Sequence, residues 1–422
     1  MDASAKDRVN LLYNILMRRF FYYLIAAVTV ALAAFYTYGY FAHRSLPVVP
    51  KPEVRLAYIY ADTSSFPTLL QMVDFVKQDP NAPKFIVWKR MVNLNFKDPL
   101  FKGTTILKLG DKRYHPQFMP NLRRHVQDFV NTYPNASFIV HLNKDQTGLI
   151  WAVLGAIPTE RVKHIHLYEE SYASTSFILS GPILEPDKFL PRLKDPKTPG
   201  FWSYNYGYSA AKIFPSTFHL AVMPEAKQKK FLKDALKNAE VKNVDFKELA
   251  QSLTEEQKKD LLRLANIDEN TLAPFRSGKP VMLFTLGFFH DAKDKNREQI
   301  NVLNQVYAGK TRFVKNPQDY TWMYKEHPWL SKDKFIRKTL KKHFPAVVPI
   351  PKETPLEILF LTGYLPDKVF GFSSSLFFAL PAENILFFME RHHDPYVPIL
   401  KETGQLTDDK IVRLEDFQDT KK

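Results

Sequence analysis

The chain contains no cysteine in 422 residues. This absence excludes a disulfide framework, thiolate metal sites, iron–sulfur clusters and a cysteine nucleophile, and leaves stability to packing. Also missing are G-x-G-x-x-G, the Walker A loop, G-x-S-x-G, H-E-x-x-H and any Cys/His metal spacing. Nicotinamide enzymes, P-loop kinases, the usual serine hydrolases and zinc enzymes thereby lose their strongest signatures. There is no D-x-D, so metal independence is the expectation for any nucleotide-sugar chemistry. No continuous basic stripe or RG/RS tail marks a nucleic-acid binder, and no internal repeat or low-complexity tract is present.

What remains is an ordinary globular composition, 45% hydrophobic and 24% charged, long enough for two or three domains and rich in Phe (34) and Tyr (20). Lys and Arg number 59 against 44 Asp and Glu, a net +15 that fits an anionic partner. The excess is concentrated. Residues 1–51 carry six basic and two acidic side chains, residues 84–125 ten and two, and residues 320–344 seven and two.

From Phe20 to Ala42 the sequence runs 23 residues without a charge, with Phe and Tyr at its ends and Arg18, Arg19, His43 and Arg44 flanking it. At about 1.5 Å per residue this spans a hydrocarbon core of roughly 30 Å, and the stretch is long for a signal peptide, so a retained single-pass anchor is expected. Lys6, Arg8, Arg18 and Arg19 before it, against Arg44, Lys51 and Arg55 after it, lean by four to three towards a cytoplasmic N-terminus, which taken alone places the large domain outside the cytoplasm. Pro47, Pro50 and Pro52 then read as a stiff spacer.

Beyond the spacer, short apolar runs alternate with helical-period segments, which predicts parallel βαβ units. The first set is 54–60, 84–88, 137–142 and 162–168; the second is 217–222, 281–286, 320–325, 368–373 and 384–388. Residues 225–267, rich in Lys, Glu, Leu and Ala, read as helices. The expected division is an anchor and spacer (1–52), an N-terminal Rossmann-like domain (53–214), a C-terminal one (215–388) and a terminal segment (389–422) packing back on the N-terminal domain. A site is expected in the crevice at the carboxyl ends of the strands.

Three polar clusters stand at such ends. Tyr168-Glu169-Glu170-Ser171 offers adjacent carboxylates that point in opposite directions, so at most one of them faces a given crevice and could serve as a general base. In Lys325-Glu326-His327-Pro328 the proline holds His327 extended at a strand exit, suited to protonating a leaving group. Gly371-Phe372-Ser373-Ser374-Ser375 combines hydroxyls with unpaired backbone N–H groups at a strand-to-helix turn, a phosphate cradle as well as a cap.

These clusters, in this order, resemble the bacterial sialyltransferases of glycosyltransferase family 80, whose pattern is an acidic pair followed by Gly, then His-Pro, then Ser-Ser. The similarity extends through YADTSSFPTLLQMVDFV, FIVHLN at 138–143, SLTEEQKKDLLRLANIDEN at 252–270 and TPLEILFLTGYLPDKVFGFSSSLFFALP at 354–381. The resemblance implies an α/β protein of the GT-B fold, two Rossmann-like doubly wound domains across a cleft, here with an N-terminal transmembrane helix. It implies transfer of sialic acid from CMP-sialic acid to a sugar hydroxyl on a galactose-terminated glycan or glycolipid, with inversion and without a metal or cofactor.

Carried over by position, Glu170 matches the catalytic base and His327 the group that stabilises or protonates the departing phosphate. Ser374 and Ser375 match the phosphate-binding serines and Glu357 the ribose-binding carboxylate; Lys325 and Pro328 lie beside the nucleotide. Asn143 and Glu169 match positions near the reacting sugars. The acidic motif is Glu-Glu-Ser rather than Asp-Asp-Gly, which leaves Glu169 open as an alternative base. Phe288, Phe289 and His290 stand where the family has a Trp. Use of CMP-Kdo, or a catalytically decayed glycan- or nucleotide-binding protein, are the alternatives. Because CMP-sialic acid is made in the cytoplasm, the resemblance also implies a catalytic domain facing the cytoplasm at the bacterial inner membrane.

Overall fold

The computed structural model describes residues 17, 20–31, 48–62, 64–88, 94–107, 118–169, 182–197, 199, 204–220, 239–287, 293–326, 334–351, 354–372, 374–390, 394 and 396–417. The first sheet has seven parallel strands: β1 (Leu56–Asp62), β2 (Lys84–Trp88), β3 (Thr105–Ile106), β4 (Ser137–Asn143), β5 (Val162–Tyr168), β6 (Ser216–Leu220) and β7 (Ala239–Asn243). Their spatial order is β3-β2-β1-β4-β5-β6-β7, reversing direction between β1 and β4. Strands buried on both faces read as near-continuous apolar runs, and KFIVW in β2, buried throughout, is one.

Helices Phe118–Thr132, Thr147–Leu154, Pro186–Lys194 and Tyr206–Ala211 contribute to the core built on one face. Helix Thr147–Leu154 is apolar all round because every residue in it is buried. The opposite face takes helix Ser65–Phe75. There Gln71 stitches three strands: its amide donates to the carbonyls of Ala61 (3.5 Å) and His141 (3.3 Å) and accepts from Trp88 Nε1 (2.8 Å).

The second sheet holds β8 (Val281–Thr285), β9 (Thr321–Lys325), β10 (Val348–Ile350), β11 (Lys368–Phe372), β12 (Ile385–Met389) and β13 (Ile411–Val412), in the order β10-β9-β8-β11-β12-β13. All are parallel. Its reversal lies between β8 and β11, the counterpart of the β1/β4 position. Residues of helices Lys293–Tyr307 and Lys334–His343 pack on one face of this sheet and helix Leu356–Leu361 on the other.

Short capped helices connect the sheets. Asp245 caps Phe246–Gln251, Thr254 forms a capping box with Gln257 at Glu255–Leu264, and Asp268 caps Glu269–Leu272. The connector is tied to the first domain by Lys77 Nζ donating to Ser252 Oγ (2.6 Å), by Asn95 N–H donating to Leu264 O (2.8 Å) and by Arg263 on the buried Asp98. It also packs on helix Leu356–Leu361, so one apolar core runs from Tyr60 and Trp88 through Leu264 to Leu359 and Phe388.

Two expectations are corrected. The division at 214/215 fails because β6 pairs with β5 and β7 with β6, so the first sheet continues to Asn243. Residues 239–243, read as helical, form that edge strand. The terminal segment adds β13 to β12 at the edge of the second sheet, and its Val397, Leu400 and Leu406 lie in the apolar core shared with the first domain. At the N-terminus, Phe20–Ala31 is helical with its large apolar side chains exposed; among the described residues no helix is long and apolar enough to cross a membrane, and residues 32–42 of the expected span lie outside them.

Candidate active site

In an open α/β sheet the loops part where the strand order reverses, leaving a crevice at the carboxyl ends. In the first sheet that position is ringed by buried polar groups. Asp62 ends β1, and its Oδ1 accepts from Ser64 N–H (2.5 Å) in the strand-to-helix turn. Across the reversal, Asn143 ends β4; its Nδ2 lies 3.5 Å from Ser64 Oγ, and its Oδ1 accepts from Asp145 N–H (2.9 Å). Gln146 Nε2 donates to the same Ser64 hydroxyl (3.1 Å). Asn143 thus stands at this strand end beside Asp62, Ser64 and Gln146, which the sequence did not single out; their only signal was a small polar turn directly after an apolar run.

One strand over, β5 delivers the acidic motif. The Tyr168 carbonyl accepts from Lys144 N–H (2.9 Å), and Glu169 N–H donates to His219 O on β6 (3.2 Å). The Glu169 side chain is fully buried, with Oε1 3.6 Å from the equally buried ammonium of Lys144. That ammonium also contacts Asp145 Oδ1 at 2.6 Å and lies 5.6 Å from the Tyr208 ring centre. Burial works against the lysine charge, but Asp145, Tyr208 and Glu169 together outweigh it and hold its pKa above the usual lysine value. Glu169, expected near the acceptor, is thus fully buried next to Lys144. Glu170 and Ser171 lie outside the described residues.

The same sheet carries a strip of rings next to this exit. Tyr60 on β1 stacks on His141 on β4 (4.5 Å between centres), and His141 stacks on His166 of β5 (4.5 Å). His166 Nδ1 is 3.0 Å from His219 Nε2, and His219 stacks on Tyr168 (4.5 Å). His141 Nδ1 meets the Tyr168 hydroxyl at 2.8 Å. Its Nε2 stands 3.3 Å from Asp74 Oδ2, an approach that favours a charged ring, but that oxygen already accepts from Tyr60 (2.8 Å) and the ring is cut off from water. Dehydration prevails: the pKa of His141 is held well below the usual value, that of His166 is pushed down to about 2 and that of His219 to about 4.

In the second sheet, Lys325 ends β9 and its Nζ donates to Pro351 O (2.6 Å) just after β10. Glu357 sits in the first turn of helix Leu356–Leu361. Its residue surface is partly accessible, yet the carboxyl is enclosed by packed groups; that burial pushes its pKa up, opposed by its own backbone N–H and by Lys325. Ser374 follows β11 as the cap of a short 3-10 helix, its Oγ accepting from Leu376 N–H (3.4 Å). The reversal itself requires Gly371: at φ +139° a Cβ there would lie 2.2 Å from Thr285 O. Buried Gln299 holds the loop after β8 through both polar atoms, accepting from Gly287 N–H (2.8 Å) and donating to Gly287 O (2.9 Å), a role the sequence did not signal. His327, Pro328, the 288–290 segment and the Ser375 side chain lie outside the described set. Among the described residues no group of three or more His, Asp or Glu side chains is arranged to hold a metal ion.

Residues 205–401, from the helix before β6 to the helix after β12, match the family described as sialyltransferase PMO188. Over that segment the chain is similar to sialyltransferases. Solved structures agree on the GT-B fold. A sialyltransferase from Photobacterium damsela superposes with a TM-score of 0.64 at 18% identity, covering 85% of this chain and 81% of that chain. A 2,6-sialyltransferase from Photobacterium sp. JT-ISH-224, described in a ternary complex with CMP and lactose, gives 0.64 at 20% identity over 85% and 78%. An α/β-galactoside α-2,3-sialyltransferase from Photobacterium phosphoreum gives 0.63 at 17% over 86% and 99%. No curated protein sequence matches the chain.

Proposed function

We propose that the enzyme transfers sialic acid from CMP-sialic acid to a hydroxyl of a terminal galactose on a cell-surface glycan, with inversion and without a metal. The observation that carries this reading is the Lys325, Glu357 and Ser374 set at the carboxyl ends of the second sheet, inside the segment that matches the sialyltransferase family. An ammonium, a carboxylate and a capping hydroxyl suit a nucleotide whose phosphate and ribose are held side by side. The Photobacterium sp. relative described with CMP and lactose supports the same donor and acceptor classes.

In this reading Glu170 takes the proton of the acceptor hydroxyl as that oxygen attacks the anomeric carbon. The bond to the CMP phosphate breaks on the opposite face, where His327, Lys325, Ser374 and Ser375 receive the developing charge. Asn143 borders the sugars, Pro328 fixes His327, and Glu357 holds the ribose. The exposed apolar helix Phe20–Ala31 supports the further proposal that residues 20–42 anchor the enzyme in the bacterial inner membrane, with the catalytic domain on the cytoplasmic side, where the donor is made.

The test is CMP release from CMP-sialic acid by the full chain, with and without lactose and with EDTA. Lactose-stimulated release insensitive to EDTA is expected. Release confined to CMP-Kdo would replace the donor, and CMP binding without release would indicate a decayed binding protein.

A further inference from the structure

Residues 320–344 carry seven basic side chains against two acidic ones, and the fold separates Lys325, at the site end of β9, from Lys338, Lys341 and Lys342. Helix Lys334–His343 runs back from the carboxyl end of β9 to the amino end of β10, so its last turn, with Lys341, Lys342 and His343, stands at the amino ends of the strands. The turn that leads into β9, carrying Lys310, Arg312 and Lys315, is its neighbour: Phe344 packs edge-on against Tyr307 (5.4 Å between centres), where helix Lys293–Tyr307 ends. Lys279, entering β8, joins the same region through its Nζ, which donates to Gln318 O (3.0 Å). Three adjacent strand entries are thus gathered at one end of the second sheet. Residues 277–280, 308–319 and 338–347 hold seven Lys or Arg side chains and one acidic residue, Asp319. All seven cations are exposed.

Folding does not call for this arrangement. A helix C-terminus favours a cation or two, but Lys338 lies one turn from both Lys341 and Lys342, at the spacings where like charges repel. The packing of the helix falls to buried Ile336 and Leu340. Among the described residues no carboxylate forms an ion pair with any of the seven cations, and Arg312 turns instead to the Asp409 carbonyl (3.1 Å). The nucleotide site is not their partner either, because five-residue β9 puts Lys325 about 16 Å away along the strand. A stacking platform for bases is also missing from these turns: Phe313 packs on Phe387 (4.6 Å) under the Arg312 guanidinium, and Phe344 packs on Tyr307.

We propose that this end of the second domain, centred on Lys338, Lys341 and Lys342, docks on the anionic headgroups of a lipid bilayer. Lipid is the occupant because the same chain exposes the apolar helix Phe20–Ala31, whose side chains suit a hydrocarbon phase, and a tethered domain meets headgroups at high effective concentration. The choice of lipid rests on the anchor proposed above; the charge cluster does not. Docking at the amino ends of β8, β9 and β10 leaves the carboxyl ends, with Lys325, Glu357 and Ser374, open to a nucleotide.

The experiment mixes the full chain with vesicles of phosphatidylcholine alone or of phosphatidylcholine with phosphatidylglycerol, and reads the acetylation rate of each lysine by mass spectrometry. Lys338, Lys341 and Lys342 are expected to react about 5- to 10-fold more slowly on the anionic vesicles, with high salt removing the difference. Exposed Lys197 and Lys247, on the first domain and the connector, should react alike on both. In Lys341→Gln/Lys342→Gln, Lys338 should lose its protection. Equal rates on the two vesicles would overturn the proposal, as would equal protection on neutral lipid or a variant that keeps the protection of Lys338. Protection by a single-stranded oligonucleotide and not by vesicles would overturn it in favour of nucleic acid. If the variant does not keep a wild-type circular dichroism spectrum, Lys310→Gln/Lys315→Gln on the neighbouring turn replaces it under the same criteria. Failure of the anchor reads differently: the wild type is then not retained by neutral vesicles, while lysine protection on anionic ones persists.

Discussion

Acidification should unfold the first domain earlier than carboxylate chemistry alone would, because three histidines in its sheet are folded in the neutral form. The groups facing them are Tyr60 on β1, Asp74 on helix Ser65–Phe75, His164 and Tyr168 on β5, Thr217 on β6, and Glu240 and Lys242 on β7. Folded pKa values of about 2 for His166 and about 4 for His219, and one well below 6.5 for His141, leave all three uncharged at pH 5. Well above pH 6.5 neither folded nor unfolded chain protonates them, so their contribution no longer changes with pH there. Below it the unfolded chain binds protons that the folded chain refuses, and stability falls by up to about 1.4 kcal/mol per pH unit for each ring. At pH 5 the three together cost about 6 kcal/mol, an upper bound because water reaches the edges of His166 and His219. Whole-domain stabilities are on the order of 5–15 kcal/mol, so this is a large fraction. Urea titrations followed by circular dichroism between pH 7.5 and 5 would measure it, with His166→Gln as the comparison. That variant should have a slope against pH shallower by about one proton below pH 6.5, while the carboxylate contributions common to both proteins cancel. A flat wild-type curve down to pH 5, or identical slopes in the two proteins, would refute the reasoning.

Gly371→Ala should cost several kcal/mol, about 3 or more, since the new Cβ overlaps the Thr285 carbonyl and no side chain can yield there; thermal unfolding would read it as lost soluble protein or a much lower Tm. Glu170→Ala and His327→Ala should each lower turnover by orders of magnitude with unchanged circular dichroism, and near wild-type turnover in either would remove that residue from the proposed chemistry. Gln299→Leu, which strips both hydrogen bonds from Gly287, should weaken CMP binding by calorimetry more than it lowers Tm; the reverse order would assign Gln299 to stability alone.

The strong strands were legible because burial on both faces writes them as apolar runs: β1, β2, β4, β5, β8, β9, β11 and β12 all fall within or beside the runs read from the sequence. The failures are at edges. β3 and β13 are two residues long, β10 is three, and β7 is AEVKN, a strand half turned to solvent with no apolar run to announce it. β6 was seen but given to the wrong sheet, because an apolar run states that it is buried and not against which neighbour. The site divides in the same way. Clusters contiguous in sequence, such as the acidic pair and the serines after β11, were readable. Ser64 and Gln146 are 82 positions apart and become one polar ring only when β1 and β4 pair side by side.

The most direct test of the central claim is proton NMR of the product formed from CMP-sialic acid and lactose. The account predicts a new sialoside on the galactose hydroxyl, with the anomeric configuration inverted relative to the donor, formed equally with EDTA present. Free sialic acid with no linked product, retained configuration, or no consumption of the donor would contradict it.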